Sequence, residues 1–331
     1  LVERIVSATP ANLPISRGAE SSPEASGGPV KPRVVRIVVA LSLGLALASG
    51  GWTLLRSRRS NGLGRAAVFL PMTPSSRAPR VDPTGMTIDT RFAPPDGYAR
   101  EPADPRSYAA WLRALPLKPD GAPVRLYTGA LKARQDVHAA VIDRDPGTRD
   151  LQQCADAAIR LRAEYLHTVE RFDEIAFHFT SGFLCSFAEW RGGRRVAVDG
   201  TRVRWIPGGP PDSSTVALAR YLDVVYTYAG TASLPRDLEP VAAGGPPAPG
   251  DVYLQPGTPG HAVTVVDVAV RGTSRMMLLA QSYMPAQEIH VVRNPASSSG
   301  DPWIQVDEGP TLVTPEWRFA WSARRRFRAL R

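Results

Sequence analysis

The chain has 331 residues, of which 43% are hydrophobic and 21% are charged, and this composition is that of a globular protein. Its length allows one large domain or two small ones. The net charge of +9 includes basic clusters that flank an apolar run or close the chain. No zinc-finger, helix-turn-helix or RNA-recognition pattern accompanies them, so we expect no nucleic-acid partner.

An apolar run over residues 37–55, IVVALSLGLALASGGWTLL, is the strongest targeting signal in the chain, and basic residues flank it on both sides. Its length is close to the ~20 residues that a helix needs to cross a bilayer. The same run also has the form of a signal sequence, with a cleavage-like Ala46-Leu47-Ala48. Either interpretation predicts that the rest of the chain is exported. The protein is then anchored in the inner membrane through residues 37–55 or secreted to the periplasm or cell envelope.

Composition divides the rest of the chain into three parts. Residues 1–36 carry basic residues between Pro, Ser and Gly and are expected to be disordered. Residues 56–97 are rich in Pro, Ser and Arg and are expected to form a linker. Residues 98–331 are expected to form a single globular α+β domain.

Helix and strand patterns alternate through residues 98–331. Helices are predicted in DPRSYAAWLRALPLKP with Asp104 as the N-cap, in LQQCADAAIRLRAEYL with Asp150 as the N-cap, and in STVALARYLDVVYTYAG. Strands are predicted in VRLYTG, HAAVID and IAFHFTSGF. Beyond residue 250 strands predominate, in DVYLQP, HAVTVVDVAV, RMMLLAQSY and EIHVVR.

Cys154, one of two cysteines in the chain, stands at the start of a predicted helix, directly after Gln152 and Gln153. Three interpretations remain open for it. A free cysteine is usually a small buried hydrophobic residue, and Ala155 beside it fits that role. In an exported protein it can also pair with Cys185 in a disulfide. The third interpretation is a nucleophile, because a helix N-terminus favours the thiolate.

The stretch PGDVYLQPGTPGHAVTVVDVAV combines a Gly-Asp turn, a short strand, a loop and a histidine that opens a long strand. Together with a cysteine at a helix start, it resembles papain-like cell-wall hydrolases of the NlpC type and their amidase relatives. The resemblance implies a papain-like core, in which the helix that carries the cysteine packs on an antiparallel sheet. It implies an N-terminal elaboration of this core as well. It also implies a catalytic order of Cys154, His261 and Gln281.

The chemistry of a thiol nucleophile gives each of these residues a role. The helix start and the His261 imidazole are expected to lower the pKa of the Cys154 thiol. Gln281 offers an acceptor oxygen that can fix the tautomer of His261, although His290 is a rival near the site. The backbone N–H of Cys154 and the side chain of Gln152 or Gln153 are candidate oxyanion donors. No metal or organic cofactor is needed.

Several longer pieces resemble a bacterial family known as domain of unknown function 4846. They are YAAWLRALPLKP, LQQCADAAIRLRAEYL, HFTSGF, YAGTASLPRDL, PGHAVTVVDVA, LAQSYMPAQEIHVV and TPEW, in that order. The resemblance covers roughly residues 98–330. It implies membership of the family and brings no activity with it.

The sequence favours a cysteine hydrolase of the cell envelope that cleaves an amide bond, with peptidoglycan stem peptides as the expected substrate. Cys154 attacks the carbonyl, His261 takes and returns the proton, and Gln281 holds His261. The alternative is a non-catalytic envelope protein that binds cell-wall peptide or glycan in the same groove.

Overall fold

The computed structural model describes residues 80–242, 245–306 and 309–328. The predicted disordered N-terminus (1–36), the apolar run (37–55) and the predicted linker up to residue 79 lie outside these ranges. Within them, no helix combines the length and the apolar character that crossing a bilayer requires.

Five α-helices lie in the described part of the chain. They are α1 (Ile88–Arg91), α2 (Tyr108–Arg113), α3 (Cys154–Thr168), α4 (Phe187–Arg191) and α5 (Thr215–Tyr228). Short 3₁₀ turns lie at Phe172–Glu174, Leu234–Arg236 and Trp321–Ala323. The two long helices, α3 and α5, are two of the three that the sequence predicts, and their positions are confirmed.

The strands are short except for β5, β6, β9 and β10. They are β1 (Ala99–Arg100), β2 (His138–Val141), β3 (Ala176–His178), β4 (Leu184–Ser186), β5 (Arg194–Asp199), β6 (Arg202–Pro207), β7 (Leu238–Pro240), β8 (Val252–Gln255), β9 (His261–Arg271), β10 (Ser274–Gln281), β11 (His290–Val292), β12 (Ile304–Gln305), β13 (Thr311–Val313), β14 (Arg318–Ala320) and β15 (Arg324–Phe327).

Nine of these strands form one antiparallel sheet in the order β2-β11-β10-β9-β8-β15-β7, with β1 added to β9 and β12 added to β10. Three separate hairpins, β3–β4, β5–β6 and β13–β14, surround it. A large antiparallel sheet with few helices confirms the α+β class that the sequence predicts.

Strand β9 is covered on both faces of the sheet. On one face, Val266 and Leu278 pack in a cluster with Leu161 of α3. On the other face, Val263 packs in a cluster with Phe319 of the β13–β14 hairpin. A strand covered on both faces has a nearly continuous apolar sequence, which explains why HAVTVVDVAV lacks a polar face.

The folded domain begins before residue 98, the start that the composition indicates. The sequence places residues up to 97 in a linker, but Ile88 and Phe92 are fully buried in a cluster with Leu112 of α2. Arg100 of β1 also donates to Asp267 of β9 at 2.5 Å. The predicted linker is therefore wrong for its last part, because two large apolar side chains within a Pro-rich segment reach the core.

Two predicted helix starts and one predicted strand also differ from the structure. Helix α2 is capped by Ser107, whose Oγ accepts from the backbone N–H of Ala110 at 3.2 Å, and not by Asp104. Helix α3 begins after Gln153 and not at Asp150. The predicted strand VRLYTG forms only isolated bridges, of which one joins Leu126 to Gln287.

Candidate active site

Cys154 is the first residue of α3, and its residue surface is only 8% exposed. The backbone N–H of Ala262 lies close enough to the thiol to favour its charged form, as do the N–H groups of Ala155 and Cys154 itself. Ala262 directly follows His261 in β9. The fold therefore brings the start of α3 against the start of β9, about a hundred residues further along the chain.

His261 opens β9 after a tight loop over residues 257–260. A Cβ atom on Gly260 would lie 2.3 Å from the carbonyl oxygen of Gly257 and 2.4 Å from Oγ1 of Thr231, so only glycine fits there. Thr231 Oγ1 also donates to the Gly257 carbonyl at 3.0 Å, which ties the loop to the segment after α5. These contacts fix the point at which the histidine enters the sheet.

Gln281 is the last residue of β10 and is bonded to His261, as the sequence predicts. Its Oε1 lies 2.9 Å from Nε2 of His261. Its Nε2 lies 2.7 Å from Oε2 of Glu316 and 3.3 Å from Nε2 of His290. His290, the predicted alternative to Gln281, therefore contacts the amide nitrogen of Gln281, and His261 contacts the amide oxygen.

Aromatic rings enclose the imidazole. The centroid of the His261 ring lies 4.9 Å from that of Tyr283, 5.1 Å from Trp317 and 5.8 Å from Phe319. His261 is 1% exposed as a result. Apolar rings around a hydrogen-bonded imidazole exclude water from the His261–Gln281 contact.

Cys154 and His261 line one cavity of about 360 Å³. Tyr283, Met284, Trp317 and Pro259 give it apolar walls, and Met284 is 63% exposed at its rim. The cavity is within the size range of small-ligand pockets, which are mostly apolar with a few polar groups.

Two residues that line this cavity carry buried polar atoms without a hydrogen-bond partner. They are Asp156, through Oδ1, and Tyr226, through its hydroxyl. The other carboxylate oxygen of Asp156 accepts from the backbone N–H of Gln153 at 3.0 Å. Burial raises the pKa of Asp156 to about 8. Buried polar groups are normally paired. These two atoms at the cavity wall could therefore form further hydrogen bonds.

The electrostatics of the pair differ from the sequence-based expectation. Burial, with a smaller contribution from the charge of Asp156, raises the pKa of the Cys154 thiol to about 11. Burial lowers the pKa of His261 to about 4, against a smaller opposing effect of its bond to Gln281. The expected lowering of the thiol pKa is therefore wrong in sign. At neutral pH both groups are neutral, because burial outweighs the helix start and the nearby backbone N–H groups.

The two glutamines before Cys154 have different surroundings. Gln152 is 1% exposed, its Nε2 donates to the carbonyl oxygen of Gln287 at 3.1 Å, and its Oε1 accepts from Arg160. It lines a different cavity from Cys154, so the structure does not bring it to the thiol as an oxyanion donor. Gln153 lines the cavity of Cys154, and one N–H of its amide donates to Asp150 at 3.1 Å.

Cys185 lies away from this site, in β4. Both cysteines are free, and Cys185 is fully buried in the core beside Tyr221, whose hydroxyl donates to the Cys185 carbonyl oxygen at 2.8 Å. Burial raises the pKa of its thiol well above the usual value. The structure therefore contains no Cys154–Cys185 disulfide, and Cys185 is a packing residue.

A second cavity of about 610 Å³ lies on the other side of the segment 150–153. Its arginines are ion-paired: Arg144 and Arg160 pair with Glu164, at 2.9 and 2.7 Å, and Arg149 pairs with Asp223. Within the described ranges, no group of three or more His, Cys, Asp or Glu side chains could hold a metal ion.

Sequence reasoning missed Glu316 and Lys132. Lys132 Nζ lies 2.8 Å from Oε1 of Glu316, and both side chains are less than a tenth exposed. Glu316 is in the TPEW piece, at the turn between β13 and β14, where its local pattern indicates only a turn. Its position beside Gln281 depends on how the hairpin folds over the sheet.

The fold and the site define an α+β domain with a cysteine and a histidine–glutamine pair at one cavity. The chain belongs to the family described as Domain of unknown function (4846), whose family model matches residues 88–326. This confirms the resemblance carried by the long sequence pieces. Comparison with curated proteins and with solved structures finds no match.

Proposed function

We propose that this protein is a cysteine hydrolase of the cell envelope that cleaves an amide bond, with peptidoglycan stem peptides as its substrates. The proposal depends on one observation: Cys154, at a helix start, lines the same cavity as His261, which is hydrogen-bonded to Gln281. A nucleophile, a base and a residue that orients the base are the parts that acyl transfer requires.

The proposal includes a papain-like core. Helix α3 carries the cysteine and packs on the antiparallel sheet whose strand β9 carries the histidine. The remaining helices and the β3–β4 and β5–β6 hairpins are then elaborations of that core. The location in the cell envelope follows from residues 37–55, as a membrane anchor or as a signal sequence.

In the proposed reaction, Sγ of Cys154 attacks the carbonyl carbon while Nδ1 of His261 accepts the thiol proton. Because both groups are neutral at rest, proton transfer accompanies the attack. His261 then returns the proton to the leaving nitrogen, and the C–N bond breaks to leave a thioester on Cys154. Water, deprotonated by His261, hydrolyses the thioester and releases a carboxylic acid and the free thiol.

The oxyanion of the tetrahedral intermediate needs hydrogen-bond donors beside the thiol. The backbone N–H of Cys154 is in the first turn of α3, where N–H groups have no partner within the helix. The second N–H of the Gln153 amide is the other candidate, because this residue lines the same cavity. Gln152 is not a candidate, because it lines the other cavity and not that of Cys154.

The test is hydrolysis of purified peptidoglycan and of synthetic stem peptides by the full-length protein, with products identified by mass spectrometry. Wild-type protein is expected to release paired amine and carboxylate products. Cys154→Ala should lower the rate by about 10³-fold or more, since it removes the nucleophile. Cys185→Ala is the matched control and should retain the rate. Hydrolysis that survives in Cys154→Ala would refute the proposal.

A second candidate is a non-catalytic envelope protein that binds cell-wall peptide or glycan in this cavity. The raised pKa of Cys154, about 11, favours this second function, because structural cysteines that only pack in the interior also have buried, neutral thiols. Titration calorimetry of stem peptides and glycan fragments against Cys154→Ala distinguishes the two. Binding by this variant together with no turnover by wild-type protein would support the binding protein.

A further inference from the structure

We propose that Glu316 is a positioning residue that holds the amide of Gln281 in one orientation, and thereby keeps the proton of neutral His261 on Nε2 and the lone pair on Nδ1. The proposal rests on the proposed function, in which His261 is the base. It adds a residue from the β13–β14 turn to the site and assigns the proton-accepting nitrogen.

The contact between Glu316 and Gln281 has one possible direction. A carboxylate only accepts hydrogen bonds, and that of Glu316 forms a salt bridge with Lys132, whose Nζ lies 2.8 Å from Oε1. The nitrogen of the Gln281 amide, 2.7 Å from Oε2 of Glu316, must therefore be the donor. The amide oxygen is then turned toward His261.

His290 supports the same orientation from a second side. Its Nδ1 lies 3.0 Å from the carbonyl oxygen of Glu288, which can only accept, so Nδ1 carries the proton and Nε2 the lone pair. That lone pair faces Nε2 of Gln281 at 3.3 Å. Both amide hydrogens of Gln281 therefore have acceptors, and its oxygen has the N–H of His261.

The consequence for His261 is a single tautomer. Its Nε2, 2.9 Å from the oxygen of Gln281, must carry the hydrogen. Nδ1 then has the lone pair that a base needs. If the amide were reversed, its N–H would face Nε2, the proton would move to Nδ1, and the ring could not accept the thiol proton there. Two acceptor oxygens would also face each other at Glu316.

The test is the tautomer of His261 at pH 7 in full-length protein labelled with ¹⁵N-histidine, read from long-range ¹H–¹⁵N spectra. A His261→Gln variant assigns its signals among the five histidines. Wild-type protein should show the Nε2–H tautomer alone. Glu316→Gln should show a second population with the proton on Nδ1, because a neutral amide can accept or donate, which leaves only the longer 3.3 Å contact with His290 to orient Gln281. Glu164→Gln, which loses another ion-paired glutamate, is the matched control and should resemble wild type.

A single Nε2–H tautomer in Glu316→Gln would overturn the proposal. If this variant does not fold because Lys132 is left buried without its partner, the double variant Lys132→Met with Glu316→Gln removes both charges and gives the same reading. The spectra need no turnover, so they stand even if no substrate is hydrolysed. Where Cys154-dependent hydrolysis is observed, Glu316→Gln should lower kcat about 10- to 100-fold with KM unchanged, and an unchanged kcat would also contradict the proposal.

Discussion

Nε2 of His261, the first residue of β9, lies 2.9 Å from Oε1 of Gln281, the last residue of β10. The two strands are antiparallel neighbours, so the start of one lies beside the end of the other. Adjacent strands thus supply the proposed base and the residue proposed to orient it. Helix α3 brings Cys154 to the same end of the sheet, where the N–H of Ala262 faces the thiol.

The pKa of His261 predicts the acid limb of the activity. The proposed base must be neutral to accept a proton, and burial lowers the pKa of His261 to about 4. We expect kcat/KM for Cys154-dependent hydrolysis to be level from pH 7 to about 5 and to fall tenfold per unit once the pH is below about 4. The measurement is the pH profile of kcat/KM at constant ionic strength. An acid limb centred near 6.5, the ordinary value, would contradict the buried neutral imidazole.

The buried carboxyl of Asp156 predicts a pH dependence of stability. Its pKa is raised by burial from 3.8 to about 8, so the folded state holds a proton that the unfolded state releases above pH 4. The stabilisation is complete below about pH 4 and is lost as the pH rises through about 8. Between these two pH values, each unit of increase in pH lowers the free energy of unfolding by about 1.4 kcal/mol through this group.

Asp156→Asn should remove this contribution, so that urea unfolding at several pH values gives a flatter dependence between pH 4 and 8. Asp136→Asn is the control, because Asp136 is exposed and its bond to Arg134 lowers the pKa of its carboxyl. This control should keep the wild-type fall in stability. Equal slopes in Asp156→Asn and wild type would show that the carboxyl is not buried in a protonated form.

The early start of the domain predicts a stability effect within the segment expected to be a linker. Phe92 is fully buried, whereas Met86 in the same segment is 49% exposed. We expect Phe92→Ala to lower the free energy of unfolding by about 3–5 kcal/mol, the usual result of removing a buried ring. Met86→Ala should change it by less than about 0.5 kcal/mol. Chemical denaturation measures both, and a neutral Phe92→Ala would place this segment outside the cooperative core.

The part of the fold that the sequence predicts best is the part that depends on local periodicity. Helices α3 and α5 and strands β8 to β11 lie where their patterns indicate. The placing of His261 beside Gln281 was predicted through resemblance and through the order of residues along two neighbouring strands. Each of these signals is contained in a short piece of chain.

The remainder depends on contacts between distant residues, which periodicity does not encode. The position of Gln152 in the sequence predicts an oxyanion donor, but the fold turns its side chain to Gln287 and into a different cavity from Cys154. The helix start and the histidine predict a lowered pKa for the Cys154 thiol. Burial raises this pKa instead, and the degree of burial cannot be read from the neighbouring residues in the sequence. Glu316 joins the site only through the fold of the β13–β14 hairpin, so a turn pattern gave no indication of it.

The central claim is that Cys154 is a nucleophile with His261 as its base, and acylation by p-nitrophenyl acetate tests it without knowledge of the substrate. The rate at pH 7 is followed by intact mass, and peptide mapping locates the acetyl group. Wild-type protein should be acylated on Cys154 about 10²- to 10⁴-fold faster than His261→Ala, the usual contribution of a general base. His167→Ala, which removes another histidine, on α3, should match wild type. Equal rates in wild type and His261→Ala, or acetylation of Cys185 instead, would contradict the claim.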